Sequence, residues 1–299
     1  MRGSDASRVA ELAGVVRRYG ATVALDGVDL AVCEGEVLAL LGQNGAGKST
    51  AIGCWLGLLD PHQGSVRLFG RSPHLLAVRR LVGVMLQDAQ MPGQLKVREL
   101  LAQARSYYAA PRPEDECIAL AGLDGLIDRR YGALSGGQQR RLQFALALCG
   151  RPRLMFLDEP GAGLDIEARA LLWQAIRGMA AAGCAVVLTT HDLAEAEVLA
   201  DRVAVLARGR IVADAGRHEL RARIGACTIR CASALDPARV GAWPGVRGAR
   251  RDGPRLEIVT DAPEATVRRL LDEDAALGEL EVRRAGLAEA FAEITRAAA

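Results

Sequence analysis

Lysine is almost missing from this 299-residue chain: 36 of its 38 basic residues are arginine, leaving only Lys48 and Lys96. With alanine and glycine abundant, the bias reads as the coding bias of a GC-rich genome. Aromatic residues are scarce, at 4%. Neither sign of charge dominates, with 38 basic against 36 acidic residues and a net charge of +2, so composition gives no argument for a nucleic-acid partner. The seven cysteines are scattered and odd in number, and none forms a CxxC pair, which argues against a disulfide framework or a zinc site and fits a reducing compartment. No apolar run approaches the roughly 18–20 residues needed to span a bilayer. The opening MRGSDASRVAELAG lacks the apolar core of a signal peptide. Work at a membrane would therefore require a partner embedded in it.

What is present is the composition of a soluble globular protein, 50% hydrophobic and 25% charged, long enough for one large domain or two unequal ones. Residues 8–41 alternate short apolar runs with glycine and aspartate turns, a strand pattern. KSTAIGCWLGLL reads as a helix closed by DPHQG, and residues 97–150 read as mostly helical. RLMFLDEP and CAVVLTTHD are apolar runs ending in polar residues, with a helix over 166–182 between them. Uninterrupted runs suit parallel strands buried on both faces, so an α/β sheet with crossover helices is expected, with its ligand at the carboxyl ends of the strands. The pattern changes near residue 225, after which a small strand-and-helix unit is expected, ending in a short helix over 287–296.

Residues 42–50, GQNGAGKST, contain one of the two lysines and fit G-x-x-x-x-G-K-[ST] between a strand and a helix. Gly42, Gly45 and Gly47 let the backbone N–H groups converge on phosphate oxygens, assisted by the positive end of the following helix. Gln43, Asn44, Ala46 and Thr50 complete the loop, and Ser49 offers a hydroxyl to Mg²⁺. Lys48 survives where shape matters as well as charge: a slim ammonium stem fits between phosphates where the planar arginine fork does not. Lys96 has no such context and reads as a surface charge.

A phosphate loop alone leaves several nucleotide enzymes open. LSGGQQRR at residues 134–141, taken with LMFLDEP, resembles the ATP-binding cassette (ABC) family over about residues 8–223. Read locally, Ser135 and Gln138 also form a helix capping box. The resemblance implies that Ser135, Gly136, Gly137 and Gln138 face the γ-phosphate of ATP held by a second subunit. It implies that Asp158 holds Mg²⁺, largely through water, and that Glu159 orients the attacking water as general base. Gln87 matches the glutamine that senses Mg²⁺, His191 the switch histidine at the γ-phosphate, and Tyr19 the aromatic that stacks on adenine. Asp165 matches the D-loop aspartate, although Gly161, Ala162 and Ile166 depart from the family's usual residues there.

The fold this implies is a P-loop cassette over residues 1–225, an α/β structure whose mixed β-sheet core carries an antiparallel β-subdomain and a helical subdomain. A small α+β domain over 226–299 would follow. Because loop and signature cannot meet within one chain of this family, a homodimer sandwiching two ATP molecules is expected. The tail RRAGLAEAFAEITR and the stretches LKVREL and LADRVAVLARGRIVADAG resemble bacterial ABC-2-type exporters, including drug- and antibiotic-resistance exporters. That branch implies a peripheral subunit on the cytoplasmic face of a bacterial membrane, driving a separate integral-membrane permease, with no nucleic acid expected. The alternative, a soluble ABC ATPase acting on ribosomes or DNA, would usually show two cassettes or long coiled coils, and neither is present.

Overall fold

The computed structural model describes residues 7–87, 89–217, 219, 227–284, 287, 291 and 294. The chain divides into two compact units between Ala215 and Gly216. The boundary expected near residue 225 lies outside the described residues, as does most of the helix expected at 287–296.

The first unit opens with two twelve-residue strands, β1 (Arg8–Tyr19) and β2 (Thr22–Cys33). They pair antiparallel, with Leu12 opposite Leu30 and Val15 opposite Val28. The sequence pattern suggested shorter runs divided by turns. Instead Gly14 and Gly27 lie inside the strands, in the left-handed region beside shifts of register, so they bulge the ladder rather than end it. After β3 (Val37–Leu41) and helix α1 (Lys48–Trp55), β4 (Gln63–Leu68) joins the other edge of β1, giving an antiparallel sheet in the order β2-β1-β4.

The chain continues through α2 (Leu76–Arg79), β5 (Val82–Met85), α3 (Val97–Ser106), α4 (Glu114–Ala121) and α5 (Gly136–Leu148). Then β6 (Leu154–Asp158), α6 (Ile166–Ala181), β7 (Ala185–Thr189), α7 (Leu193–Leu199), β8 (Arg202–Ala207) and β9 (Arg210–Gly216) complete the unit. A six-stranded sheet has the order β5-β6-β7-β3-β8-β9, and its five strands from β5 to β8 run parallel. Every residue of β3, β6 and β7 is buried, as their unbroken apolar runs require. Trp55 of α1 and Phe156 of β6 are fully buried with ring centroids 5.6 Å apart, so helix and sheet share one core. Register then fixes where chemistry can occur. Leu40 pairs with Thr189, and Asp158 also pairs with Thr189, so three strands end level and deliver three loops to one edge.

The second unit runs β10 (Cys227–Ala232), α8 (Pro237–Gly241), β11 (Val246–Asp252), β12 (Arg255–Thr260), α9 (Pro263–Glu273), β13 (Gly278–Arg284). This βαββαβ order forms an antiparallel sheet, β11-β12-β10-β13, with Ile229, Leu256 and Ile258 packed against Val240 and Trp243 of the α8 region and Leu270 of α9. The strand β11 was not apparent from its sequence, VRGARRD, which lacks an apolar alternation. Among the described residues no helix is long and apolar enough to cross a membrane.

Candidate functional site

The loop after β3 is held by close packing against its own backbone neighbours. A Cβ at Gly42 would lie 2.4 Å from the Leu206 carbonyl oxygen, and one at Gly47 would lie 2.4 Å from the Ala24 carbonyl oxygen. Gly47 also has φ 112°, a conformation that favours glycine. Ala46 anchors the turn through its amide, which donates to Gln43 O at 3.1 Å, and its carbonyl, which accepts from Gly209 N at 3.1 Å. The loop is thus clamped between β2 and the β8–β9 turn. Lys48, the first residue of α1, folds back and donates from Nζ to Gly42 O at 2.6 Å and to Gln43 O at 3.2 Å. Burial pushes its ammonium pKa down, opposed by the Glu159 and Asp158 carboxylates.

At the end of β6, buried Asp158 accepts a hydrogen bond from the Thr189 hydroxyl. Glu159 has a left-handed backbone, φ 51°, stabilised by its amide donating to Thr189 O at 3.0 Å. That twist turns the side chain towards the switch segment, where Glu159 Oε1 lies 3.0 Å from His191 Nδ1. With the proton on Nδ1, the imidazole donates to the carboxylate and orients it.

Tyr19, Asn44, Gly45, Gly47, Lys48, Ser49, Thr50, Gln87, Asp158, Glu159 and His191 all line one cleft of about 740 Å³, beside Thr22 and Ala24. Of the expected loop residues, Gly42, Gln43 and Ala46 do not line it: Gly42 and Ala46 are buried, and Gln43 is exposed. Tyr19 is 46% exposed, and the Arg17 guanidinium carbon lies 5.1 Å from its ring centroid.

Residues 135–138 line no part of this cleft. They start α5, where Ser135 caps the helix: its side chain accepts from Gln138 N at 3.3 Å, while Gln138 Oε1 accepts from Ser135 N at 3.0 Å. Ser135 and Gly136 are exposed, so this helix terminus is open to an anion. Gly137 packs beside the D-loop, where its Cβ would meet Gly163 O at 3.0 Å. Asp165 caps α6, accepting from Ala168 N at 2.8 Å, and also lies outside the cleft. Lys96 pairs with Asp128 on the surface at 3.8 Å.

Three further contributors were not singled out in the sequence. Thr189 holds both acidic residues of the β6 end. Arg140, one turn into α5, donates to Asp158 O at 2.8 Å, Glu159 O at 2.5 Å and Leu86 O at 3.1 Å, tying the start of α5 to the ends of β5 and β6. Glu195, 2% exposed on α7, accepts from Trp173 Nε1 at 3.0 Å and fills the space beside Gly161. Only Thr189, in the quoted TTHD, carried a hint, as a polar residue ending an apolar strand.

A lysine-bearing loop and an acidic strand end occur in many phosphate-handling enzymes, but the serine–glycine start of α5 does not. Fold and site together define an ATPase of the ATP-binding-cassette type. The model of one family, ABC transporter, matches residues 25–162. Relatives include the daunorubicin/doxorubicin resistance ATP-binding protein of Streptomyces peucetius, 39% identical over 231 residues covering 75% of this chain and 70% of that protein. A Nod factor export ATP-binding protein I of Rhizobium johnstonii is 34% identical over 271 residues, 88% of this chain and 87% of its own. The chain belongs to the ABC transporter family. Among solved structures, an ATP-binding subunit of an ABC transporter superimposes with a TM-score of 0.68 at 28% identity, over 73% of this chain and 93% of that one. A dimeric cassette in a post-hydrolysis state, bound to ADP and Pi, gives 0.63 at 25% identity over 69% and 98%.

Proposed function

We propose that two copies of this chain close on two ATP molecules, and that hydrolysis reopens them to drive export through a separate membrane permease. The observation that carries this reading is the separation within one chain: Lys48, Ser49, Gln87, Asp158, Glu159 and His191 line one cleft, whereas residues 135–138 at the start of α5 line no part of it and are open at Ser135 and Gly136. A two-fold dimer would bring residues 135–138 of one copy to the γ-phosphate in the other and complete both sites.

In each site Tyr19 would stack on adenine, while residues 42–50 would cradle the phosphates. Lys48 would exchange its two loop carbonyls for phosphate oxygens. Glu159 would accept a proton from the attacking water, steadied by its strained backbone and by His191, whose exposed ring would also face the γ-phosphate. Ser49, Gln87 and Asp158 offer only oxygen donors to the cleft, and no cluster of three His, Cys, Asp or Glu occurs among the described residues. That donor set suits Mg²⁺, which takes few protein ligands and completes its shell with phosphates and water. When bound, Mg²⁺ would neutralise phosphate charge. Asp165 and the D-loop would connect the two sites.

The export reading draws on the relatives' names, drug resistance in one and Nod factor export in another. With no membrane-crossing helix among the described residues, the subunit would sit peripherally on the cytoplasmic face of a bacterial membrane. Its cargo, of a drug, antibiotic, lipid or polysaccharide class, would be chosen by the permease. The test is direct. Glu159→Gln with ATP should elute from size exclusion as a stable dimer and lose ATPase activity, and an ATP-loaded monomer would overturn the sandwich. Co-purification with a membrane protein encoded beside this gene, and stimulation of ATPase activity by that protein, tests export.

A further inference from the structure

Among the described residues, the second unit has an unpaired sheet edge whose charges match themselves. Its sheet ends in β11 on one side and β13 on the other. Among the described residues of this unit, the exposed large apolar side chains are Leu271, Leu280 and Val282, at 57%, 39% and 47%, and two of the three lie on β13. Val282 is opposite Ile229 in the ladder, so both point to the face that α8 and α9 cover. Glu281 and Arg283 point to the opposite, open face, where Arg283 Nη2 lies 2.7 Å from Glu281 Oε1 on the same strand.

The geometry points to β13 as a homodimer contact: β13 of one copy pairs antiparallel with β13 of a second, about a two-fold axis at Val282. In that register Glu281 lies opposite the second copy's Arg283, and Arg283 opposite its Glu281. The two strand-internal ion pairs become two cross-strand pairs. Val282 meets its own counterpart, and Leu280 comes under cover on the helix-bearing face. The sequence of β13, GELEVRR, contains no proline to block the ladder. The other edge does not match itself in this way. Pairing β11 about its mid-point, Ala249, would set Arg247 against Arg251 twice. Two four-stranded sheets joined at β13 would form one eight-stranded sheet. Such a contact needs no nucleotide, so it would keep two cassettes at high effective concentration while the ATP sites are open.

Sedimentation of the full chain without nucleotide tests this independently of the ATP sandwich. Wild type should associate as a dimer. Glu281→Arg would oppose arginine to arginine at both contacts, and Arg283→Glu would oppose glutamate to glutamate, so each should dissociate about tenfold more readily. A 1:1 mixture of these two variants should associate again, because each then offers the charge the other needs. The double variant E281R/R283E should also dimerise. An unchanged thermal transition of the second unit in each variant confirms its folding, because the nucleotide cleft lies in the other unit and ATP binding reports only on that one. A nucleotide-free wild type that stays monomeric, single variants that associate as wild type does, or a mixture that fails to recover would each overturn the contact. Protection of the edge by the chain's own residues beyond 284 would appear as the first of these outcomes.

Discussion

Gly161 shows how one missing side chain is explained by another that is present. Its Cβ would lie 2.5 Å from Glu195 Oε1, so the D-loop passes this carboxyl only as bare backbone. Gly161→Ala should therefore cost about 1–3 kcal/mol in urea unfolding, and shortening the neighbour with Glu195→Asp should recover part of that loss. The same carboxyl makes stability depend on pH. Burial raises the Glu195 pKa above 4.5, partly offset by hydrogen bonds from Thr190 and Trp173, with Asp192 raising it further and Arg169 lowering it. The folded state thus holds this proton more tightly than the unfolded chain. Glu195 contributes its full stability below about pH 4.5, and that contribution is lost as pH rises through the higher folded value. Glu195→Gln keeps an acceptor for Trp173 without the ionisation. Its stability relative to wild type should improve steadily from acid to neutral pH, and a difference independent of pH would refute this account. Lys48 makes a related point about shape. Lys48→Arg preserves the charge, but it should weaken ATP binding in an equilibrium titration, because the guanidinium fork does not fit where Nζ now meets Gly42 O and Gln43 O.

At the scale of elements, what could be read from sequence was what is local. β3, β6 and β7 were legible because strands buried on both faces must be apolar at every position. α1 and the start of α5 were legible because caps and phosphate loops are contiguous. β11 was not legible: VRGARRD becomes a strand through its pairing with β12, where Arg250 reaches Glu257 across the ladder. Arg140 was equally hidden, because its carbonyl partners come from chain segments far away in sequence. The start of α5 is a helix cap and, in the proposed dimer, would also meet a phosphate, and substitution can separate the two. Ser135→Ala should lose about 1 kcal/mol as a cap. Ser135→Asp should cap as well as serine does and keep the folding stability. If the proposed dimer forms, this variant should nevertheless abolish ATPase activity, because a carboxylate would then repel the γ-phosphate held by the second copy. If Ser135→Asp keeps wild-type turnover, the helix start is only a cap.

At the scale of the whole molecule, the two units have separate cores. One is built on Trp55, Phe156 and the strands around them, the other on Ile229, Trp243, Leu256 and Ile258. The nucleotide cleft is lined only by residues of the first. A ligand stabilises only the folded structure that binds it, by roughly 2.7 kcal/mol at a hundred times its dissociation constant. Calorimetry of the chain with and without ADP should therefore resolve two transitions and move one of them. Trp243→Ala, which removes a buried side chain from the second core, should lower only the other transition, by an amount corresponding to about 3–5 kcal/mol. A single transition that responds to both ADP and Trp243→Ala would mean that the two units unfold as one. The effects of the Gly161 and Glu281 variants could then no longer be assigned to separate parts of the molecule.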